Sequence, residues 1–295
     1  EHLTVLSDPA HVIELPPSSS ADVIAVTASP FSLRQQWTVP RLLRSLGGDL
    51  YHSPYYLMPY RTPVPTLVTV HDLIPMLFPA YSSKRAQWLF RLTTRLAIRA
   101  SDRIIAVSKS TADDLAVDFP EVHGRVAVVH HAADPGFTPR SDDAVHALRK
   151  KLALPERFVL YLGSNKPHKN IVRLVDAWAA VSPAFPNHKL VIAGAWIPDY
   201  PESRQRAAAL DLTSIHWLGR VVEEDLPVLY SAAEVFVFPS MYEGFGFPVL
   251  EAMACGTPVA CSQASSLPEI AADAAVLFDP ADKGSLVEGL MQLLE

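Results

Sequence analysis

Residues 235–262 read VFVFPSMYEGFGFPVLEAMACGTPVACS. The opening VFVFPS is an apolar run rich in aromatic and β-branched residues, and it has the length of a buried strand. A loop containing Gly244 and Gly246 follows. Pro248 then suits the first turn of a helix, where its missing N–H is not needed. After a short helix over 248–254, the apolar run at 258–261 predicts a second strand. Strand, helix and strand within so few residues form a unit whose strands must lie parallel, and that fixes the class as α/β.

The same alternation extends outward in both directions. In the second half the pattern predicts strands at 158–162, 190–193, 215–218, 235–239, 258–261 and 275–278. Helices fit at 171–181, 203–210, 224–232 and 248–254. In the first half strands fit at 3–6, 23–26, 49–52, 67–70, 103–107 and 126–129, with helices at 33–46, 84–99 and 110–118. Between the two series lies HHAADPGFTPRSDDA, residues 130–144, rich in Pro, Asp and Ser and therefore the expected interdomain linker. The expected architecture is two Rossmann-like, doubly wound domains: 1–135, incomplete; a linker region, 136–155; and 156–295. Such domains bind ligands at the carboxyl ends of their strands and would face a common cleft.

Composition excludes several classes. With 295 residues, 49% of them hydrophobic, the chain has material for sizeable cores. Its longest apolar runs, such as RFVLYLG, fall short of the roughly 20 residues that span a bilayer. Net charge is −6, and it is uneven: residues 1–140 carry 13 basic and 12 acidic side chains, residues 141–295 carry 12 and 19. That balance argues against nucleic acid as a partner. Two cysteines, Cys255 and Cys261, form neither a disulfide framework nor a metal site, so a reducing, cytoplasmic setting is expected. The first residues, EHLTVLS, and the last, SLVEGLMQLLE, read as the interiors of elements, so both natural ends are expected to lie outside this chain.

Two glutamates stand out, Glu243 on the loop and Glu251 one turn into the helix, eight positions apart. The pair suits a grip on two hydroxyl-bearing parts of one ligand; in isolation it equally fits a capping acid and a solvated helix residue. GSNKPHKN, residues 163–170, places a glycine turn after a strand, then basic residues, then a helix start, which is the make-up of an anion site. His71, in TVHDLIP, ends a strand where an imidazole can hydrogen-bond a substrate hydroxyl, and Asp72 beside it is suited to orienting the turn. His130 and His131 are adjacent, and as strand neighbours they would point apart and share no metal. SSKRAQWLFRLTTRLAIRAS, residues 82–101, gathers Lys84, Arg91, Arg95 and Arg99 on one arc beside Leu89, Leu92 and Leu96. That is either a lipid-facing basic helix, giving peripheral contact at the inner membrane face, or an ordinary helix with its leucines in the core.

The block from 235 to 280 resembles the donor-binding segment of retaining GT-B glycosyltransferases of the glycogen-synthase and mannosyltransferase-like family, the glycosyl transferases group 1 with their E-x7-E motif. The likeness extends to YLGSNKPHKNIVRLVDAWA, LGRVVEEDLPVLYSAAEVF, VTVHDLIPMLFP and DRIIAVSKSTADDL. It implies transfer of a hexosyl unit, mannosyl- or rhamnosyl-like, from a GDP-, UDP- or dTDP-linked sugar to a glycan or lipid-linked acceptor. It implies that Glu243 contacts the sugar and Glu251 the ribose, with the backbone of Gly244, Phe245, Gly246 and Phe247 meeting sugar and diphosphate. Gly163 and Lys169 would meet the diphosphate. Where the family commonly has arginine after the glycine this chain has Ser164, and Lys166 is the substitute. The base would lie near residues 218–222, at Val221, and His71 with Glu243 would be the catalytic pair. No Asp-x-Asp occurs in the chain, so neither a metal nor another cofactor is expected. A GT-B nucleotide-sugar isomerase and a non-catalytic nucleotide-sugar-binding module are the alternatives.

Overall fold

Strands that are apolar at every position, such as Val235–Phe238, have no polar face to show to water and must be covered on both sides. The computed structural model, which describes residues 2–10, 20–29, 31–79 and 83–295, shows how that is met. The chain folds into two compact units, Glu1–Ala106 with Ala112–Val129, and Val107–Thr111 with His130–Glu295.

In the first unit β1 (Thr4–Ser7) and β2 (Asp22–Ala25) form a parallel pair. A separate parallel sheet holds β3 (Tyr51–Ser53), β4 (Thr66–Val70), β5 (Arg103–Ala106) and β6 (Val126–Val128) in that order. Helix α1 (Gln35–Leu46) precedes β3. After β4 come α2 (Ile74–Leu77) and α3 (Lys84–Ala100); α4 (Lys109–Asp118) follows β5, its residues through Thr111 counted with the second unit and those from Ala112 with the first. Val68, Val70, Ile98, Ile104 and Phe119 are fully or nearly fully buried in this unit's core.

Helix α3 departs from the ordinary expectation for its leucines. Its buried residues are Phe90, Thr94, Ala97 and Ile98, whereas Leu89 and Leu92 are exposed. The sheet takes the stripe centred on Ala97, whose small side chain permits close approach, and this turns the leucines outward. Ser82, the first residue of the stretch singled out in the sequence, lies outside the described residues.

The second unit opens with α5 (Asp142–Leu152), inside the stretch expected to be a linker. Ser141 caps it by accepting from the Ala144 N–H, and Leu148 is buried in the second core, so packing makes this segment part of the unit. The strands are β7 (Arg157–Leu162), β8 (His188–Ala193), β9 (Ile215–Gly219), β10 (Val235–Phe238), β11 (Val259–Ser262) and β12 (Val276–Phe278). The helices are α6 (Ile171–Val181), α7 (Glu202–Ala209), α8 (Leu226–Ala232), α9 (Phe247–Ala254), α10 (Leu267–Ala271) and α11 (Lys283–Leu294). The sheet is fully parallel in the order β12-β11-β10-β7-β8-β9. The chain starts at the centre, winds one way through β8 and β9, then returns to β10 on the other side of β7. The loops after β7 and β10 therefore diverge from neighbouring strands at the switch point, where such sheets bind ligands.

Helix α6 anchors this core with Ile171, Leu174, Val175, Trp178 and Val181, spaced to form one apolar stripe. Trp178 is wholly buried, and its indole N–H donates to Ser214 Oγ at 2.9 Å. Among the described residues no helix is long and apolar enough to cross a membrane. Truncating Trp178 to Ala leaves a large cavity and orphans the serine, so we expect a loss of about 3–5 kcal/mol in urea unfolding followed by far-ultraviolet circular dichroism.

Candidate active site

At the carboxyl end of β7 the chain turns through Gly163, whose N–H donates to the Ala193 carbonyl at 3.0 Å. A Cβ at Gly163 would stand 2.7 Å from the Tyr161 hydroxyl, which donates to Ser164 O. Gly194, at the end of β8, has φ +123°, and a Cβ there would fall on the Gly163 carbonyl. Close backbone approach is thus built from two glycines on adjacent strands.

The rest of the β7 loop is tied down by side chains. Asn165 donates to Ile197 O and Tyr200 O at 2.8 and 2.7 Å and accepts from Ile197 N–H at 2.7 Å. Asn170, left-handed at φ 60°, donates to Pro239 O and Pro280 O. Met241 N–H donates to His168 O at 2.7 Å, lacing this loop to the one after β10.

These constraints deliver Lys169 to Glu243: Nζ donates to Oε1 at 2.6 Å, with side-chain exposures of 17% and 11%. The lysine also lies 5.3 Å from the centre of the Phe238 ring. Two residues singled out for separate contacts are therefore partners here, which no spacing between positions 169 and 243 could reveal. Lys166 is exposed nearby.

The loop carrying Glu243 is held from several directions. Its N–H donates to Ser265 Oγ at 2.8 Å, and Ser266 Oγ donates to Glu243 O and Phe245 O. Gly244 O accepts from Thr111 Oγ1 at 3.2 Å, within the same unit. Phe245 is buried, and His131 meets it edge-on at 5.3 Å while stacking on Phe247 at 5.1 Å. Since β6 ends at Val128, the two histidines are not strand neighbours: His130 also approaches the Phe245 ring, at 6.2 Å. Among the described residues no cluster of His, Cys, Asp and Glu could hold a metal ion.

Gly246 caps α9 at φ +114°, and a Cβ there would strike Leu267 Cδ2 at 2.6 Å. The helix starts at Phe247, so its first-turn amides lie just beyond the glycine turn. One turn on, Glu251 Oε2 accepts from the Tyr230 hydroxyl at 2.8 Å. Burial raises this carboxyl above the ordinary range, the tyrosine bond opposes the rise, and nearby Glu223 adds to it. Glu251 is therefore no solvated helix residue. Tyr230, on α8, was not singled out in the sequence, where it is one more apolar position of VLYSAA.

A cavity at the carboxyl ends of β7, β8 and β9 is lined by Gly163, Gly194, Trp196, Arg204, Trp217 and Gly219, among others. The Arg204 guanidinium lies 4.1 Å from the Trp196 ring centre and 5.1 Å from that of Trp217. Sequence reasoning missed this group because its members come from a loop, a helix and a strand. Val221, just beyond β9, packs at the edge of the core.

In the first unit His71 follows β4, and its Nε2 donates to Pro54 O at 2.9 Å. Asp72 Oδ1 accepts from Ile74 N–H at 2.9 Å, opening α2, so the aspartate does orient the turn. Tyr55 and Tyr56, after β3, lie with ring centres 4.2 Å apart and planes tilted by 42°. The Tyr56 hydroxyl is pushed well up by burial first, with the Tyr55 bond and the charge of Asp72 adding to the rise.

Two families match along the chain: "Glycosyl transferases group 1" over residues 145–295 and "Glycosyltransferase Family 4" over residues 8–137. The chain belongs to the glycosyl transferases group 1. It is 31% identical over 266 residues to the O-antigen chain mannosyltransferase B of Escherichia coli, a match covering 89% of this chain and 68% of that protein. The sucrose-phosphate synthase of Thermosynechococcus elongatus superposes with a TM-score of 0.70 at 25% identity, over 99% of this chain and 79% of that one. Anabaena HepE, solved with UDP and glucose, superposes at 0.72 with 22% identity, over 94% and 77%. The fold of this glycosyltransferase is GT-B.

Two outcomes test the site's energetics. Lys169→Met leaves the Glu243 charge buried and unpaired and should cost about 3–5 kcal/mol, whereas adding Glu243→Gln should restore most of it, as read by thermal unfolding. His168 is buried within the same loop, and burial, helped by Lys169 and Lys166, lowers its pKa from 6.5 to about 4. Between those values the unfolded chain binds a proton that the folded chain does not. This stability is therefore complete above pH 6.5 and falls as the pH drops toward 4. The fall, at most about 3 kcal/mol, should be smaller in His168→Gln when melting is followed against pH.

Proposed function

We propose that the second unit grips a sugar nucleotide across the loops after β7 and β10, and that the protein transfers the sugar, with mannosyl as the transferred unit, to a glycan acceptor with retention at the anomeric carbon. The observation that carries this is the Lys169–Glu243 pair at the switch point, with Glu243 on the loop that leads into α9, where Glu251 stands one turn in and is already held by Tyr230. A cation within hydrogen-bond reach of a carboxylate is a preformed site for a ligand that has a phosphate on one side and hydroxyls on the other. When the diphosphate arrives, Lys169 exchanges the carboxylate for phosphate, and Glu243 is released to accept from sugar hydroxyls.

Glu251, fixed by Tyr230, takes the ribose hydroxyls. The first-turn amides of α9 and the exposed Lys166 supply the remaining positive potential to the diphosphate. That supply stabilises the leaving group as the glycosidic bond breaks, which is the work a metal would otherwise do, and it supports a metal-independent reaction. The base is assigned to the neighbourhood of Val221, two residues beyond Gly219, which lines the cavity together with Trp196 and Trp217.

Retention follows if the leaving phosphate itself takes the acceptor proton on the face it vacates. Glu243, once released from Lys169, is engaged by hydrogen bonds from the sugar hydroxyls and so is a poor nucleophile, which supports that course. Support for mannosyl comes from the likeness to the O-antigen chain mannosyltransferase B. Support for a nucleoside diphosphate comes from HepE, solved with UDP.

A thermal-shift panel of GDP-, UDP- and dTDP-sugars is the direct test. One nucleotide series should raise the melting temperature of the wild type, and Glu251→Ala should lose most of that rise; no shift with any series, or an undiminished shift in the variant, would refute the assignment. Nuclear magnetic resonance of the product should show the donor's anomeric configuration, and an inverted anomer would refute retention.

A further inference from the structure

Helix α3 presents its most adhesive side chains to solvent. At 100° per residue, Phe90, Thr94, Ala97 and Ile98 occupy an inward arc of about 100°. Lys84, Arg85, Trp88, Leu89, Arg91 and Leu92 fall on an outward arc of about 160°. On that outward arc Trp88 is 63% exposed, Leu89 52% and Leu92 37%. An isolated exposed leucine needs no explanation, but an exposed tryptophan flanked by two exposed leucines on one helix face does.

The charges set the occupant. Helix α3 carries Lys84, Arg85, Arg91, Arg95 and Arg99 and no acidic residue, in a chain whose net charge is −6. Arg95 and Arg99 turn to Glu121 at 3.2 and 3.7 Å, and Arg95 also lies over the Phe119 ring. Lys84, Arg85 and Arg91 are exposed around the apolar trio. A second copy of this chain is a poor occupant, because a twofold contact would set these cations against themselves. Nucleic acid would reward the cations but leave the two leucines in water. An anionic lipid surface rewards both: the cations meet headgroup phosphates, the leucines enter the acyl boundary, and tryptophan favours the interface between them.

We propose that the outward face of α3 docks the protein, lying flat, on an anionic phospholipid bilayer. This contact is independent of the nucleotide site, and an acceptor carried at that surface would meet the enzyme there.

The test is co-sedimentation of the intact protein with vesicles of phosphatidylglycerol and phosphatidylethanolamine, against vesicles of phosphatidylcholine alone. The wild type should bind the anionic vesicles at least about tenfold more tightly, and high salt should release it. Arg85→Glu with Arg91→Glu, and separately Trp88→Ser, should each weaken binding on the order of tenfold or more, with melting temperature and nucleotide-induced shift unchanged because these side chains are exposed. Equal binding to both vesicle types, or variants that bind like the wild type, would overturn the proposal. So would loss of self-association or of RNA retention, in place of lipid binding, in Trp88→Ser.

Discussion

The parallel pairing of β7 with β10 governs the second unit. Val235 lies opposite Val159 and Phe236 opposite Leu160, all four without solvent exposure. Strands buried on both faces cannot slip in register without breaking backbone bonds that no water would replace. Because the chain reaches β10 only after winding out through β8 and β9, these neighbours are far apart in sequence but share one carboxyl edge. Everything functional in this unit follows from that edge. The loops leaving it must turn apart, and the space they bound is where Lys169, Glu243 and the start of α9 converge.

That convergence carries an energetic cost as well as a role. A largely buried ion pair gains little over a well-packed apolar pair, since both charges lose their water. Such a pair is understandable at a place where one partner will be exchanged for a ligand. The surrounding scaffold is built to hold it: asparagines bonded to backbone carbonyls, serines bonded to the Glu243 loop, and glycines at Gly163 and Gly194 where no side chain fits. Rigid loops of this kind lower the ordering entropy that a ligand would otherwise have to overcome.

The two units divide the chain's charge between them. The acidic excess belongs to the second half, and within it the cations Lys166 and Lys169 are confined to the glycine turn after β7. The first half is close to neutral, yet it concentrates five cations on α3. Averaged over the chain these features vanish, which is why net charge excluded nucleic acid while leaving local anion recognition open.

Much of this was legible in the sequence. Periodicity alone placed α6 at its observed bounds and the central strands within a residue or two, because apolar runs of strand length and stripes of helical spacing are local properties. The glycine turns and the two glutamates were visible for the same reason, and the family likeness rested on them. Other features needed the third dimension. The segment 136–155 looked like a linker because Pro, Asp and Ser crowd its start, but α5 is held by packing of Leu148. Helix α3 showed its amphipathic pattern but not which stripe the sheet would cover. The partner of Lys169, the tyrosine beneath Glu251 and the tryptophan pair around Arg204 are all joined across many residues of chain. The sequence by itself determined which segments become strands and helices and which residues are chemically able to hold a sugar nucleotide. Only the tertiary structure decided which of them meet, because strand order sets that, and strand order is a consequence of how the whole core packs.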